Sequence, residues 1–380
     1  MLILFSDTGG GHRAAAKALT QAINRVAPNL PVEMADPLIG EGPRVVRRLA
    51  KLYSPLIQRS RPAWGVVYHA SNTRPVFATI RGVFSPTVRR VLLDLIERHD
   101  PDVVVSVHPL LNHVTYQAIH RSSRRRGLVV VVTDLVELHR GWAFSKADLV
   151  TVPTESARQA CLRWGVKSER LYLLGLPVDL RFRPPAPGEK AALRRRFGLA
   201  EDRLTVLAVA GGEGSGNLLQ QVRALAWHEH PWQTIAVTGR NDKLRRRLAR
   251  LHFGTPTQVL GFVDDMPELM RASDVVVSKA GPGAIAEALA THLPMILTSY
   301  LPGQETDNVT FVSMTGFGLY SPKPDQLLDS LNLLFAEDGR VLSEMAERAA
   351  AVARPYASLD IAREALAVAR RYSAESQASR

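Results

Sequence analysis

Residues 2–19 read LILFSDTGGGHRAAAKAL, and their order decides the fold. The apolar run 2–6 predicts a buried strand. Gly9, Gly10 and Gly11 then make a turn, and Ala14, Ala15, Ala18, Leu19, Ala22 and Ile23 share one face of a helix. A strand that enters a helix through a glycine turn is the first half of a βαβ unit. At such a turn the backbone can approach a ligand closely, with the helix amides pointing at it. His12 falls in the first helical turn, where the positive end of the helix favours a neutral imidazole able to accept a proton.

The alternation continues outward. Strands are predicted at 32–36, 103–108, 127–134 and 149–153, with helices over 43–60 and 75–98. Runs such as VVVSVH (103–108) and GLVVVVTD (127–134), separated by helices, mark a parallel sheet covered on both faces. LGLPVDLRFRPPAPGEK (174–190) carries four prolines and reads as a linker. The pattern then restarts at 205–216, 234–241, 257–262, 275–281 and 295–299. The chain is therefore expected to be α/β, with two Rossmann-like doubly wound domains of parallel sheet facing a cleft. Their limits are placed at 1–178 and 191–356, joined by 179–190. A helix over 357–372 returns to the first domain, and the tail SAESQASR is expected to fray.

Composition narrows the function classes. A length of 380 residues suggests two or three domains, and 46% hydrophobic with 22% charged residues is ordinary for a globular protein. The single cysteine, Cys161, rules out a disulfide framework and any multi-cysteine metal site. No apolar run approaches the roughly 18 residues that span a bilayer, and the N-terminal stretch lacks the basic region of a signal peptide. A cytoplasmic protein is expected. The net charge is +12, from 48 Lys and Arg against 36 Asp and Glu, a field that attracts polyanions. Between Arg44 and Arg61 there are six basic residues and no acidic one. Arg44, Arg47 and Arg48 lie on an amphipathic stretch, 44–57, that is read either as membrane-facing or as an ordinary surface helix. Runs of three arginines occur at 124–126, 194–196 and 245–247. No nucleic-acid-binding motif is found, so no nucleic-acid partner is expected.

Ligands of open α/β sheets bind outside the carboxyl ends of the strands, so residues there are the site candidates. Gly211 to Gly216 hold four glycines and form a nest for a phosphate, followed by Asn217. Gly281 and Gly283 open another helix, in which Glu287 is placed to hold a ribose diol. The polar loop Gln304, Glu305 and Asn308 follows the next strand. Asp134, Glu137, His139 and Trp142 follow VVVVT, and His108 and His113 flank an earlier turn. Gly9, Gly11 and Ala14 also fit a dinucleotide-binding turn with Asp36 as its ribose acid, which keeps an NAD(P)-dependent oxidoreductase open.

SDTGGGHRAAAKAL, RPAWGVVYH (61–69), VVTDLVELHRGW (131–142), KAGPGAIAEAL (279–289) and LPGQETDNVTFV (301–312) together resemble the monogalactosyldiacylglycerol synthase and processive diacylglycerol glucosyltransferase family. A broader relative is the glycosyltransferase of the lipid-linked peptidoglycan precursor. The resemblance implies a GT-B fold and an inverting transfer of a hexose from a UDP-sugar to a membrane lipid hydroxyl, typically diacylglycerol. It implies His12 or Asp134 as base, and Gly10, Gly11, Trp64 and Tyr68 near the lipid. It implies Gly212, Gly214 and Asn217 on the diphosphate, with Arg240 and Asn241 nearby. Phe262 and Val263 would face the uracil, Glu287 the ribose, and Gln304, Glu305 and Asn308 the sugar and phosphates. No cofactor or metal is expected. The implied partners are a UDP-hexose, diacylglycerol and an anionic membrane, with attachment to the inner face of the cell membrane. The same fold with another acceptor, or a UDP-sugar epimerase, stays open.

Overall fold

The computed structural model describes residues 1–7, 10–42, 44, 47–48, 61–142, 144–210 and 217–378. The chain divides into two compact units. The first is Met1–Leu180 with Leu301–Gln304 and Tyr356–Arg380; the second is Arg181–Tyr300 with Glu305–Pro355. The segment expected as a linker is shared, with 179–180 in the first unit and 181–190 in the second.

Each unit is built on a six-stranded, wholly parallel sheet. In the first, β1 (Leu2–Leu4), β2 (Glu33–Ala35), β3 (Val103–Ser106), β4 (Gly127–Val131), β5 (Leu149–Val152) and β6 (Leu171–Leu173) lie in the order β2-β1-β3-β4-β5-β6. Alternating side chains enter two cores. Leu2, Leu4, Val104 and Val130 pack on one face, and Ile3, Val103, Val105 and Val129 on the other. The second face is covered by the helix Gly11–Val26 and by Ile361, Ala362, Ala365 and Leu366 of the helix Ala357–Ala378. That last helix is pinned by Ser358 Oγ donating to the Val178 carbonyl and by Tyr372 donating to Asp148. It stays helical through Ala378, so the expected fraying from residue 373 is corrected. SAESQA contains no glycine or proline to stop it.

The second sheet has β7 (Leu204–Val209), β8 (Trp232–Val237), β9 (Thr257–Leu260), β10 (Val275–Lys279), β11 (Met295–Ser299) and β12 (Gly318–Tyr320) in the order β12-β11-β10-β7-β8-β9. The sequence reading missed β6 and β12. Both are three-residue edge strands, partly exposed and too short to stand out as strands beside the longer central runs.

Strand order fixes where a ligand can sit. The winding reverses between β1 and β3 in the first unit and between β7 and β10 in the second, and crevices open outside the carboxyl ends at those points. The segments that leave these four strands are the glycine turn before His12, the turn at His108, the stretch 210–217 and the turn at Gly281.

Candidate active site

The helix Gly11–Val26 starts at Gly10, whose φ of +82° only glycine adopts readily. Gly10 and Gly11 are exposed, and an added Cβ at either would meet nothing within 4 Å, so the turn faces open space. One residue into the helix, half-buried His12 turns back over the sheet. Its Nδ1 lies 3.1 Å from Thr133 Oγ1, and its ring sits 4.6 Å from His108 and 6.2 Å from Trp142, centroid to centroid. Asp134, beside Thr133, is buried and accepts a 2.6 Å hydrogen bond from the Trp142 indole. The carboxyl ends of three neighbouring strands, β1, β3 and β4, thus bring His12, His108, Thr133 and Asp134 together. Asp7 and Arg13 flank His12 and pair at 2.6 Å.

A second set of contacts holds this cluster. Ser106 Oγ donates to Asn112 Oδ1 at 2.7 Å, and Asn112 Nδ2 donates to the Gly141 carbonyl at 2.8 Å; both side chains are fully buried. Gly141 lies so close to Pro109 that an added Cβ would stand 2.6 Å from its carbonyl oxygen. The loop that delivers Trp142 to Asp134 is therefore set by Asn112 from one side and by close backbone packing from the other. Sequence reading named neither Thr133, Ser106 nor Asn112. Thr133 had a visible signal, its place directly before Asp134 at the end of a strand.

Burial dominates the electrostatics. It pushes His12 and His139 down to about 4, against a weaker opposing effect, in the case of His12, of a ring hydrogen bond to the Val107 carbonyl. His108 is held well below the ordinary histidine range by burial and by the neighbouring His12 and His139. The helix terminus had been expected to keep His12 neutral; desolvation is the main cause instead. The consequence for stability has a definite sign. An unfolded histidine takes up its proton near pH 6.5, which the folded ones refuse until far lower pH. The unfolded state therefore binds more protons in that window, and stability present above it is lost as pH falls. Each of the buried pair His108 and His139 weakens the fold by about 1.4 kcal/mol per pH unit there. Urea denaturation is expected to show a midpoint that drops between about pH 7 and about pH 5. A constant midpoint would contradict the burial of these rings.

Several expectations change. Trp64 and Tyr68 were placed at a lipid entrance, but they are 9% and 4% exposed. Tyr68 packs against His139 with ring centroids 5.9 Å apart, and on the same helix Val66 and Val67 are the exposed large apolar residues. Of the basic amphipathic stretch, Arg44 and Arg48 are exposed and Arg47 half-buried, while 43, 45–46 and 49–60 lie outside the described residues. Asp36 does not wait for a ribose. Its Oδ2 accepts from the Asp7 amide, and its Oδ1 accepts from those of Leu38 and Ile39. The oxidoreductase reading loses its acid. The arginine runs are largely neutralised within the fold: Arg124 and Arg126 hold Asp100, Arg194 holds Asp274, Arg195 holds Glu201 and Arg245 holds Asp242.

In the second unit Gly212 and Gly214 lie outside the described residues. Asn217 opens the helix Leu218–Ala226. Asn241 caps the helix Asp242–Leu248 by accepting from the Leu244 amide, and Arg240 stacks over the exposed Phe262 ring at 5.0 Å, next to half-buried Val263. Gly281 precedes the helix Pro282–Ala290, which carries Gly283 and half-buried Glu287 in its first two turns. Lys279, at the end of β10, donates to the buried carboxylate of Glu305. Asn308 is buried and donates to the Ala280 carbonyl at 2.9 Å, fixing the turn at Gly281. Gln304 clusters with the first unit. Among the described residues, no three His, Cys, Asp or Glu side chains are grouped to hold a metal ion.

Residues 12–178 match the family model described as monogalactosyldiacylglycerol (MGDG) synthase, and residues 205–354 match the glycosyltransferase family 28 C-terminal domain. The chain is 33% identical over 376 residues to the chloroplastic monogalactosyldiacylglycerol synthase of Spinacia oleracea, covering 95% of this chain and 71% of that one. It is 32% identical over 372 residues to monogalactosyldiacylglycerol synthase 1 of Arabidopsis thaliana, covering 95% and 69%. In fold it is similar to MurG of Acinetobacter baumannii, with a TM-score of 0.62 at 14% identity over 96% of this chain and 98% of that one.

Proposed function

The chain belongs to the monogalactosyldiacylglycerol synthase family and is a GT-B hexosyltransferase acting on diacylglycerol, and from that premise we propose a direct, inverting transfer from a UDP-hexose at a bilayer surface. The gathering of His12, Thr133 and Asp134 at the β1/β3 switch point carries this reading.

In this mechanism His12 takes the proton of the lipid hydroxyl as its oxygen attacks the anomeric carbon. The bond from that carbon to the diphosphate breaks, and its electron pair leaves with UDP. Being neutral across the physiological range, His12 is always able to accept, and Thr133 fixes the ring from one nitrogen. Asp134 orients the Trp142 indole beside it. In the second unit the helix N-termini at Asn217 and Gly281, together with Arg240, meet the charge that grows on the leaving diphosphate. Glu287 takes the ribose, and the reading assigns no step to a metal. Among the described residues no helix is long and apolar enough to cross a membrane. We read the enzyme as peripheral, drawn to anionic lipid by its positive charge.

The test is incubation with radiolabelled UDP-galactose or UDP-glucose on diacylglycerol-containing liposomes, followed by lipid extraction. Label is expected in the organic phase with at least one donor. Label confined to water-soluble products would overturn the lipid acceptor.

A further inference from the structure

Leaving β11, the chain enters the first unit for four residues, Leu301–Gln304, and rejoins the second at Glu305. We propose that the helix Arg61–Ser71 of the first unit positions the donor sugar through this short loop, with Gly65 and Tyr68 as the positioning residues. The inference rests on the reading that Gln304 and Glu305 contact the UDP-hexose, and it adds what sets them in place.

Two glycines make the contact close. Gly65 is buried in the helix and faces Pro302: an added Cβ would stand 3.1 Å from Pro302 Cβ and 3.6 Å from its carbonyl oxygen. Glycine is a poor helix former, and inside a helix it marks a place where another part of the chain comes near. On the loop side, a Cβ added to Gly303 would stand 2.9 Å from Tyr68 Cδ1 and 3.3 Å from His69 Nε2. Gly303 follows Pro302 in a turn and has a φ of +83°, which glycine adopts without steric cost. The absence of a side chain at both glycines is what lets the loop settle on the helix.

The chain carries this placement onward to the donor turn. Gln304 is the last residue of the loop, and the next, buried Glu305, accepts from Lys279 at the end of β10. Gly281 packs beside that carboxylate, since an added Cβ there would stand 3.7 Å from Glu305 Oε1. The helix Thr306–Thr315 begins directly after Glu305, and its Asn308 holds the Ala280 carbonyl. Four residues that end at a buried ion pair have few ways to absorb a displacement, so a shift at Pro302 moves Gln304 and Glu305. The end of the same helix is latched to the loop that delivers Trp142 to Asp134. The Arg140 amide donates to Asn72 Oδ1 at 2.6 Å, and Ser71 Oγ lies 3.4 Å from His139 Nε2. Tyr68 therefore touches His139 on one side and meets Gly303 on another. One helix holds both the donor loop and the loop beside Asp134.

The test is Gly65→Ala in the full chain, with Gly82→Ala as control. Both replace a helical glycine by a better helix former. A Cβ at Gly82 meets nothing within 4 Å, whereas the one at Gly65 must push Pro302 aside by a few tenths of an ångström. Donor affinity is read as the Kd of UDP-galactose and of UDP-glucose by calorimetry and as the donor KM on liposomes, beside the diacylglycerol KM and Tm. Gly65→Ala is expected to weaken the donor about fivefold, because a misplacement of about 1 Å costs on the order of a hundredfold and this one is smaller. The diacylglycerol KM is expected to stay constant, Tm not to fall, and Gly82→Ala to match wild type. Unchanged donor affinity in Gly65→Ala, or a loss shared by Gly82→Ala, overturns the positioning role. So does a loss accompanied by a lower Tm and a raised diacylglycerol KM, which is general damage. Calorimetry needs no acceptor, so failure of label to reach lipid counts against the transfer reading alone, and a wild type that binds neither donor overturns both.

Discussion

Replacing His12 with alanine is expected to lower turnover at least about a hundredfold while leaving the donor KM little changed, the usual scale for removing a general base. His12 stands at the open turn of the first switch point, and burial keeps its imidazole neutral down to about pH 4. No break is therefore expected in the pH dependence of kcat near the ordinary histidine value. A shoulder there would mean that the ring titrates normally and is not desolvated. Thr133→Val is expected to have a smaller effect, because it removes the contact at Nδ1 and leaves the base itself. If His12→Ala costs tenfold or less, the proton passes to Asp134 or to another group.

The second large effect concerns stability. Lys279→Met is expected to destabilise the second unit by about 3–5 kcal/mol, the scale for breaking a buried ion pair by removing one member. Glu305 is 3% exposed, so its carboxylate cannot turn to water when Lys279 is lost. The reverse change, Glu305→Gln, is expected to cost less, because the Lys279 side chain is 27% exposed and can be solvated. Urea denaturation of the two variants checks both the size and the asymmetry. Equal losses would mean that the pair is not set in the buried geometry described. The pair lies against Gly281, where an added Cβ would come within 3.4 Å of Lys279 Nζ, so the donor turn should loosen with it.

Much of this was legible in the sequence because parallel sheets buried on both faces write themselves as unbroken apolar runs. Ten of the twelve strands were expected from the sequence, β3 and β10 most plainly because their apolar runs are unbroken. Glycine turns at the ends of β1 and β10 marked the places where a ligand approaches, and the spacing placed His12 and Glu287 on the helices that follow. What stayed hidden was pairing across distance. Nothing local says that Asn112 reaches Gly141, that Asp36 is consumed by three backbone amides, or that Lys279 and Glu305 meet in the interior. Trp64 and Tyr68 misled for a related reason. Aromatic residues just beyond a basic stretch look interfacial, but burial depends on which face meets the core, and here that face carries Tyr68 while Val66 is turned outward.

The stereochemistry of the new glycosidic bond reports directly on whether transfer is a single displacement. The lipid product made from an α-linked UDP-hexose and diacylglycerol should be extracted and its anomeric proton coupling read by NMR. A single displacement driven by His12 predicts a β-linked hexose on the glycerol oxygen. An α-linked product would contradict it.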